Sequence, residues 1–459
     1  MAQNPNQNDL ITPELNKQFK KSFRWTLTGS IIYEIAKVAH IFALLKLVPG
    51  TTYGAIGSIF SLIYLTCYIA DFGAYSSLPP FVNMTIQNKQ SFRRFIFHYT
   101  ILPHFPLIIS CAFIATYLTA CKLTLTTAML IIIPSAIILE TLRCFLRLLM
   151  HTTFHSRRTV LIDLTAFVLF LTSTWIPYLV FNRPITLTTV FLPHLIDSIF
   201  AVTVFIICIV HFYRKLPTTQ THTLPHDFTK RLISSRLFNY LLRVSRYLFS
   251  SNFLTPLFAI KFGLKSAGLF YFAGTFATSL QSILKSSIGY SGNALLANLK
   301  DSTQAAKKEA FNILWQKLIF FLSPIIIILA VNYQPIARLS QSANTTSYTL
   351  SLLLLYFLLP CTEFFAILYE QFYIVEEAAS KLFLFKLLEL AFVYLIITSP
   401  ITASPAATLL GLIAVRILSF IIIAINAFYT WKITCSIKGH IIFLTSITVA
   451  AVIIRLILG

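Results

Sequence analysis

The sequence has little charge and very little acid. Only 11% of its 459 residues are charged, and 15 are Asp or Glu, whereas soluble domains carry about 25% charged residues. The 36 Lys and Arg give a formal charge of +21, but they fall between apolar runs and form no solvated block. That pattern excludes a nucleic-acid-binding domain, and no nucleic-acid partner is expected. No CxxC pair exists. The seven cysteines (Cys67, Cys111, Cys121, Cys144, Cys208, Cys361, Cys435) are odd in number and scattered, so they read as free thiols among apolar side chains and not as the staples of a secreted domain.

Catalytic motifs are missing as well. There is no HExxH, GxGxxG, GxxxxGKS or GxSxG, so zincin, dinucleotide, P-loop and hydrolase chemistry lack their usual residues. His151 with His155 and His222 with His226 have HxxxH spacing, but no HH doublet accompanies them. Pro225 also opposes a helix that would hold the second pair on one face. No metal, no cofactor and no enzymatic reaction are expected. The first twenty residues lack the apolar centre of a signal peptide, and Lys17, Lys20, Lys21 and Arg24 precede the first apolar run, which predicts a cytoplasmic N-terminus.

What is present is apolar sequence, 57% of the chain, in runs of about 20 residues, the length needed to cross a bilayer as helix. Spans are predicted at 24–48, 52–76, 95–119, 124–149, 159–181, 188–212, 238–262, 266–289, 309–332, 347–371, 381–399, 405–430 and 440–458. The expected fold is an all-α polytopic membrane protein of about 12–14 transmembrane helices. With the N-terminus inside, twenty basic residues fall on cytoplasmic segments and six on the opposite ones. The positive-inside rule thus supports span order and orientation together, in the inner (cell) membrane, and accounts for most of the net charge as a topology signal and an attraction to anionic membrane lipid.

The loops are short, and the longest basic one lies near mid-chain. It suggests a polar N-terminal segment (1–21), a six-helix bundle (22–213), a linker (214–237), a second six-helix bundle (238–430) and one further helix (431–459). A shift of 214 residues lays Tyr53-Gly54 on Ala267-Gly268 and Asp71 on Lys285, although side-chain identity is slight. On this alignment Asp71 and Lys285 are candidates for a charged gate.

Ionisable side chains at membrane depth cost about 2.5–3.5 kcal/mol each, so they should face protein or a water-filled cavity. Glu34, Lys37 and His40 fall within about 120° of one helix face, and Glu140, Arg143 and Arg147 within about 60°. Each set reads in two ways. Lys37, His40, Arg143, Arg147 and Lys285 could line a substrate cavity, the arginines offering planar forks of donors to phosphate oxygens. Alternatively, Glu34 with Lys37 and Glu140 with Arg143 are neutralised ion pairs that hold helices together, while Arg147 snorkels to the surface. Glu34, Glu140 or Glu363 could instead take up a coupling proton. Lys386 and Glu389 read as a self-neutralising pair, and Asp163 and Asp197 as single acids without an evident partner.

The stretch from Ser22 to Phe81 resembles the start of polysaccharide (O-antigen type) flippases of the multidrug, oligosaccharidyl-lipid and polysaccharide exporter (MOP) superfamily. It has a basic, Trp-containing first helix, a turn ending in Tyr53-Gly54, and a second helix closing in Asp71-Phe72-Gly73. The resemblance implies two pseudo-symmetric six-helix bundles around a central cavity. It also implies a polyprenyl-pyrophosphate-linked glycan as the substrate, moved between leaflets by alternating access. Two other readings remain: a MATE-like cation-coupled drug or metabolite exporter, which favours a cavity acid, and a membrane-embedded glycosyl-transferring enzyme, for which no outer-loop acid stands out.

Overall fold

The computed structural model describes residues 13–74, 89–97, 101–152, 155–216, 228–247, 249–284, 304–331, 379–399 and 404–432, with the scattered positions 85, 355, 359, 362, 368–370, 372, 373 and 445. These residues form helices: α1 (Pro13–Leu47), α2 (Gly50–Ala70), α3 (Lys89–Ile96), α4 (Leu102–Ala120), α5 (Thr127–Thr152), α6 (Ser156–Phe181), α7 (Leu187–Lys215), α8 (Phe228–Tyr247), α9 (Ser251–Phe262), α10 (Leu264–Leu284), α11 (Gln304–Val331), α12 (Ala379–Thr398) and α13 (Pro405–Trp431). No β-strand occurs among the described residues.

Helix ends follow local chemistry. Thr186 caps α7 in a reciprocal box with Thr189, and the Ser404 hydroxyl accepts from the Ala407 N–H at the start of α13, where Pro405 takes the first helical position. Asn182 ends α6 in the left-handed conformation (φ 51°). Among the described residues, α2, α5, α6, α7 and α13 are long and apolar enough to cross a membrane. Large apolar side chains such as Phe113, Ile114 and Tyr117 of α4 face outward, as expected where the surrounding solvent is hydrocarbon.

One expected span is corrected. The run 238–262 is two helices, separated by a turn at Phe249–Ser250 in which the Ser250 N–H bonds the Tyr247 carbonyl. Within the run, α8 contributes Arg243 and Arg246, and only the twelve residues of α9 are mainly apolar. At 1.5 Å per residue α9 reaches about 18 Å, well short of a bilayer core of about 30 Å. The expected spans 347–371 and 440–458 fall largely outside the described residues.

The chain divides into two compact units, residues 39–272 and residues 1–38 with 273–459. In the first, α5 packs on α7 and α4, α7 on α6, and α2 on α4, α5 and α9. One apolar cluster joins Phe92, Phe95, Leu149, Phe205, Phe228 and Leu232. α2 meets α10 closely: Gly54 and Gly268, the pair matched by the 214-residue shift, face each other, and a β-carbon on Gly54 would fall 1.9 Å from the Leu264 carbonyl oxygen. In the second unit α12 packs on α13. Trp315 stacks on Phe420, and Tyr373 donates to Asn426 beside the Trp431 ring.

Candidate functional site

Three consecutive membrane helices, α5, α6 and α7, bring ionisable groups together inside the 39–272 unit. Arg143 is the hub. Its Nη1 donates to Asp197 Oδ2 (2.9 Å) and Glu140 Oε2 (3.5 Å), and its Nε and Nη2 both donate to Asp163 Oδ1 (3.2 and 3.0 Å). Glu140 Oε2 also accepts from the Ser198 hydroxyl (3.2 Å). Arg147, one turn further along α5, lies 3.8 Å from Asp163 Oδ2. Asp197 Oδ1 is 3.1 Å from Nδ1 of His194, one turn earlier on α7. Arg143, Glu140, Asp197 and His194 are each 5% exposed or less.

Burial sets the energetics. A charge removed from water loses several kcal/mol of solvation, which is recovered only through close partners and satisfied hydrogen bonds. Arg143 meets that condition by spending all three nitrogens on carboxylates. Among the described residues the balance is uneven, however: Glu140, Asp163 and Asp197 stand against Arg143 and Arg147, one more acid than base before His194 is counted. A single proton would make it neutral.

The other site expectations are distributed differently. Glu34 and Lys37 are bonded to each other (3.2 Å), and Glu34 Oε1 also accepts from Ser282. His40 follows them in sequence but bonds elsewhere: the Trp175 indole donates to His40 Nδ1 (3.0 Å), and Phe170 lies edge-on to the imidazole at 5.1 Å. Asp71 acts electrostatically on Arg236 of α8, whose guanidinium is pushed down to about 10 by burial against the opposing pull of that carboxylate. The neighbouring backbone explains the Asp-Phe-Gly sequence. Phe72 and Gly73 both have positive φ (42° and 74°), and a β-carbon at Gly73 would fall 2.4 Å from the Arg236 carbonyl oxygen. Lys285 and Glu363 lie outside the described residues.

A second buried cluster lies in the other unit. Lys386 contacts Glu370 (2.6 Å) and Glu389 (2.5 Å), Arg416 bonds Glu389, and Ser419 donates to it at 3.0 Å. Among the described residues the local pair read from sequence is therefore half of a four-residue network with two acids and two bases. Balanced in this way, it has the character of a helix-joining element. Among the described residues no group of three His, Cys, Asp or Glu could hold a metal ion.

His194 is the group that reading the sequence missed. Its signal was the i, i+3 spacing to Asp197 inside an apolar run, the same spacing that drew attention to Glu140 and Arg143.

No family model and no curated protein matches the sequence. In three dimensions the chain is similar to an outward-facing multidrug resistance MATE family transporter of the MOP superfamily, with a TM-score of 0.62 and 11% identity over 90% of this chain and 96% of that one. It is similar to a MATE transporter of Vibrio cholerae (TM-score 0.57, 13% identity, 91% and 98% covered). It is also similar to a MOP superfamily transporter from Pyrococcus furiosus in which reverse polarity of the binding pocket suggests a different function (TM-score 0.55, 10% identity, 90% and 96% covered). These likenesses show the fold alone: the chain is an all-α polytopic membrane protein whose helical fold is similar to that of these transporters.

Proposed function

We propose that the chain is an alternating-access exporter of the MATE kind, coupled to proton uptake and exporting lipophilic cations or similar metabolites. The observation that carries this reading is the state of Arg143. As the best-placed cation of the first six spans, it was the natural ligand for a lipid-linked pyrophosphate. Its Nε, Nη1 and Nη2 are instead all engaged by Asp163, Asp197 and Glu140. A phosphate would have to displace carboxylates already held in a buried site, at the cost of leaving them uncompensated. The surplus acid favours binding a proton over binding an anion.

The driving force follows from the same arithmetic. Neutralising the cluster removes one charge, and each elementary charge crossing 100 mV is worth about 2.3 kcal/mol. Proton entry down its gradient would thus favour the substrate-free carrier turning to face the cell interior, with the N-terminus cytoplasmic and the protein in the inner membrane. Membership of the MOP superfamily agrees with the fold. The lipid-linked glycan flippase is the second reading, and the Ser22–Phe81 resemblance is what favours it.

Reconstituted protein loaded with ethidium, a lipophilic cation, tests the proposal. Imposing an inward pH gradient should accelerate dye export, and collapsing it with an ionophore should abolish the acceleration. Native mass spectrometry provides the opposing arm: co-purification of a polyprenyl-pyrophosphate lipid that is lost in Arg143→Ala, with no dye export, would move the assignment to the flippase.

A further inference from the structure

Two buried imidazoles flank one phenyl ring. Phe170 of α6 lies 5.1 Å from the His40 ring and 6.0 Å from the His194 ring, centroid to centroid and edge-on to both. Among the described residues neither Nε2 has a hydrogen-bond partner, and both are shielded from solvent. Two unsatisfied nitrogens against one ring are costly features in a protein interior.

Their bonded nitrogens determine what the open ones are. At His40 the indole N–H of Trp175 can only donate, so Nδ1 accepts and the ring proton of the neutral imidazole sits on Nε2. At His194 the partner is Asp197, which accepts from Arg143 and so faces His194 as an acceptor. Nδ1 of His194 therefore carries the proton, and Nε2 presents a lone pair. The two residues are opposite tautomers: His40 has no vacant basic nitrogen unless Trp175 withdraws, whereas His194 has one.

The surroundings of His194 suit a cation. From its own helix comes Asp197; from α5 come Glu140 and Arg143, Glu140 being 3.2 Å from the Ser198 hydroxyl on the next turn of α7. From α2 come Phe60 at 5.1 Å and Tyr64 at 6.3 Å. From α6 comes Phe170, while Asp163 reaches the group only through Arg143. Beyond them, Arg147 and His151 stand on the α5 side, and Asp71 acts electrostatically both on Arg236 and on Cys144 of α5. Asp197, bonded to Nδ1, and Glu140 supply the charge that compensates an imidazolium in this buried place.

We infer that Nε2 of His194 is the atom that holds the coupling proton, with Asp197 as its orienting partner and the Phe60–Tyr64–Phe170 enclosure as its barrier to leakage. This rests on the proton-coupled exporter reading and names its carrier. A proton arriving from the outer aqueous phase bonds to the Nε2 lone pair and gives an imidazolium hydrogen-bonded through Nδ1–H to Asp197. The cluster becomes neutral, and the same N–H bond breaks when the site faces the inner aqueous phase. His40, fixed by Trp175, does not titrate.

Two measurements test this. The first is imidazole 15N NMR of histidine-labelled full-length protein in detergent, with the His194 and His40 signals assigned by their loss in His194→Gln and His40→Gln. Between about pH 5 and pH 9, where imidazoles exchange protons, the His194 signals should move from the neutral to the protonated pattern while those of His40 stay fixed. A His194 that does not titrate in this range overturns the inference. The second is ethidium export from proteoliposomes. His194→Gln should lose the acceleration by the pH gradient, a fall of about tenfold in the gradient-driven rate. Gradient coupling retained in full by His194→Gln would overturn the carrier assignment alone. A wild type indifferent to the gradient would overturn the exporter reading, and the carrier with it.

Discussion

Gly54 and Gly268 face each other so closely that a β-carbon built on Gly268 would lie 3.2 Å from the Gly54 nitrogen, and one on Gly54 would lie 3.3 Å from the Gly268 nitrogen. Backbone meets backbone here, and neither helix can yield by moving a side chain. Gly54→Ala should therefore destabilise the protein by at least about 1–3 kcal/mol, the usual cost of overpacking. Gly50→Ala, whose new β-carbon meets only the Lys265 side chain at 3.8 Å, should be close to neutral. Thermal unfolding of both variants in detergent checks the contrast.

Arg143 and Arg147 are one turn apart, yet they should respond very differently to removal. Arg143→Met removes the cation facing buried Glu140 and Asp197 and half-buried Asp163, at a cost of about 3–5 kcal/mol. Arg147, with a side chain 35% exposed and 3.8 Å from Asp163, should cost less than about 1 kcal/mol when replaced by Met. Denaturation midpoints of the two variants measure the difference, and equal losses would contradict the hub role.

Glu389 accepts from Lys386, Arg416 and Ser419 inside the other unit. Glu389→Gln leaves a buried ammonium and guanidinium short of one charge, and a loss of about 3–5 kcal/mol is expected. Because that network is already balanced, the same change should alter folding yield and thermal midpoint without changing the pH dependence of whatever transport survives.

Asp71 and Arg236 should be coupled. Burial already lowers the Arg236 guanidinium to about 10, and Asp71 opposes that shift, so Asp71→Asn removes the charge that makes the buried base tolerable. A double-mutant cycle with Arg236→Gln should return an interaction of about 0.5–3 kcal/mol, and additivity would show the two to be independent.

Much of the fold was legible because hydrocarbon imposes long apolar runs: α2, α4, α5, α6, α7 and α13 all fall where those runs predict them. The seventh span was expected as one helix because a search for apolar length passes over the turn at Phe249–Ser250 that separates α8 from α9. Within the site, Glu140 with Arg143 was readable because one turn of helix places them together. Asp163 and Asp197 were visible only as isolated acids, since their contacts with Arg143 span 20 and 54 residues and no local periodicity encodes them. The phosphate reading of Arg143 stood beside an ion-pair reading with Glu140, and neither anticipated the partners on the neighbouring helices. His40 was grouped with Glu34 and Lys37 by helical angle, but the Trp175 indole on α6 binds it instead.

The most direct test of the account is proton flux itself. Proteoliposomes holding a pH-sensitive dye, with wild type beside His194→Gln and Asp197→Asn, should acidify inside when ethidium leaves. The wild type is expected to move protons against dye, and the two variants to move dye without protons. Dye export by the wild type with no accompanying proton movement, or proton movement unchanged in both variants, would contradict the account.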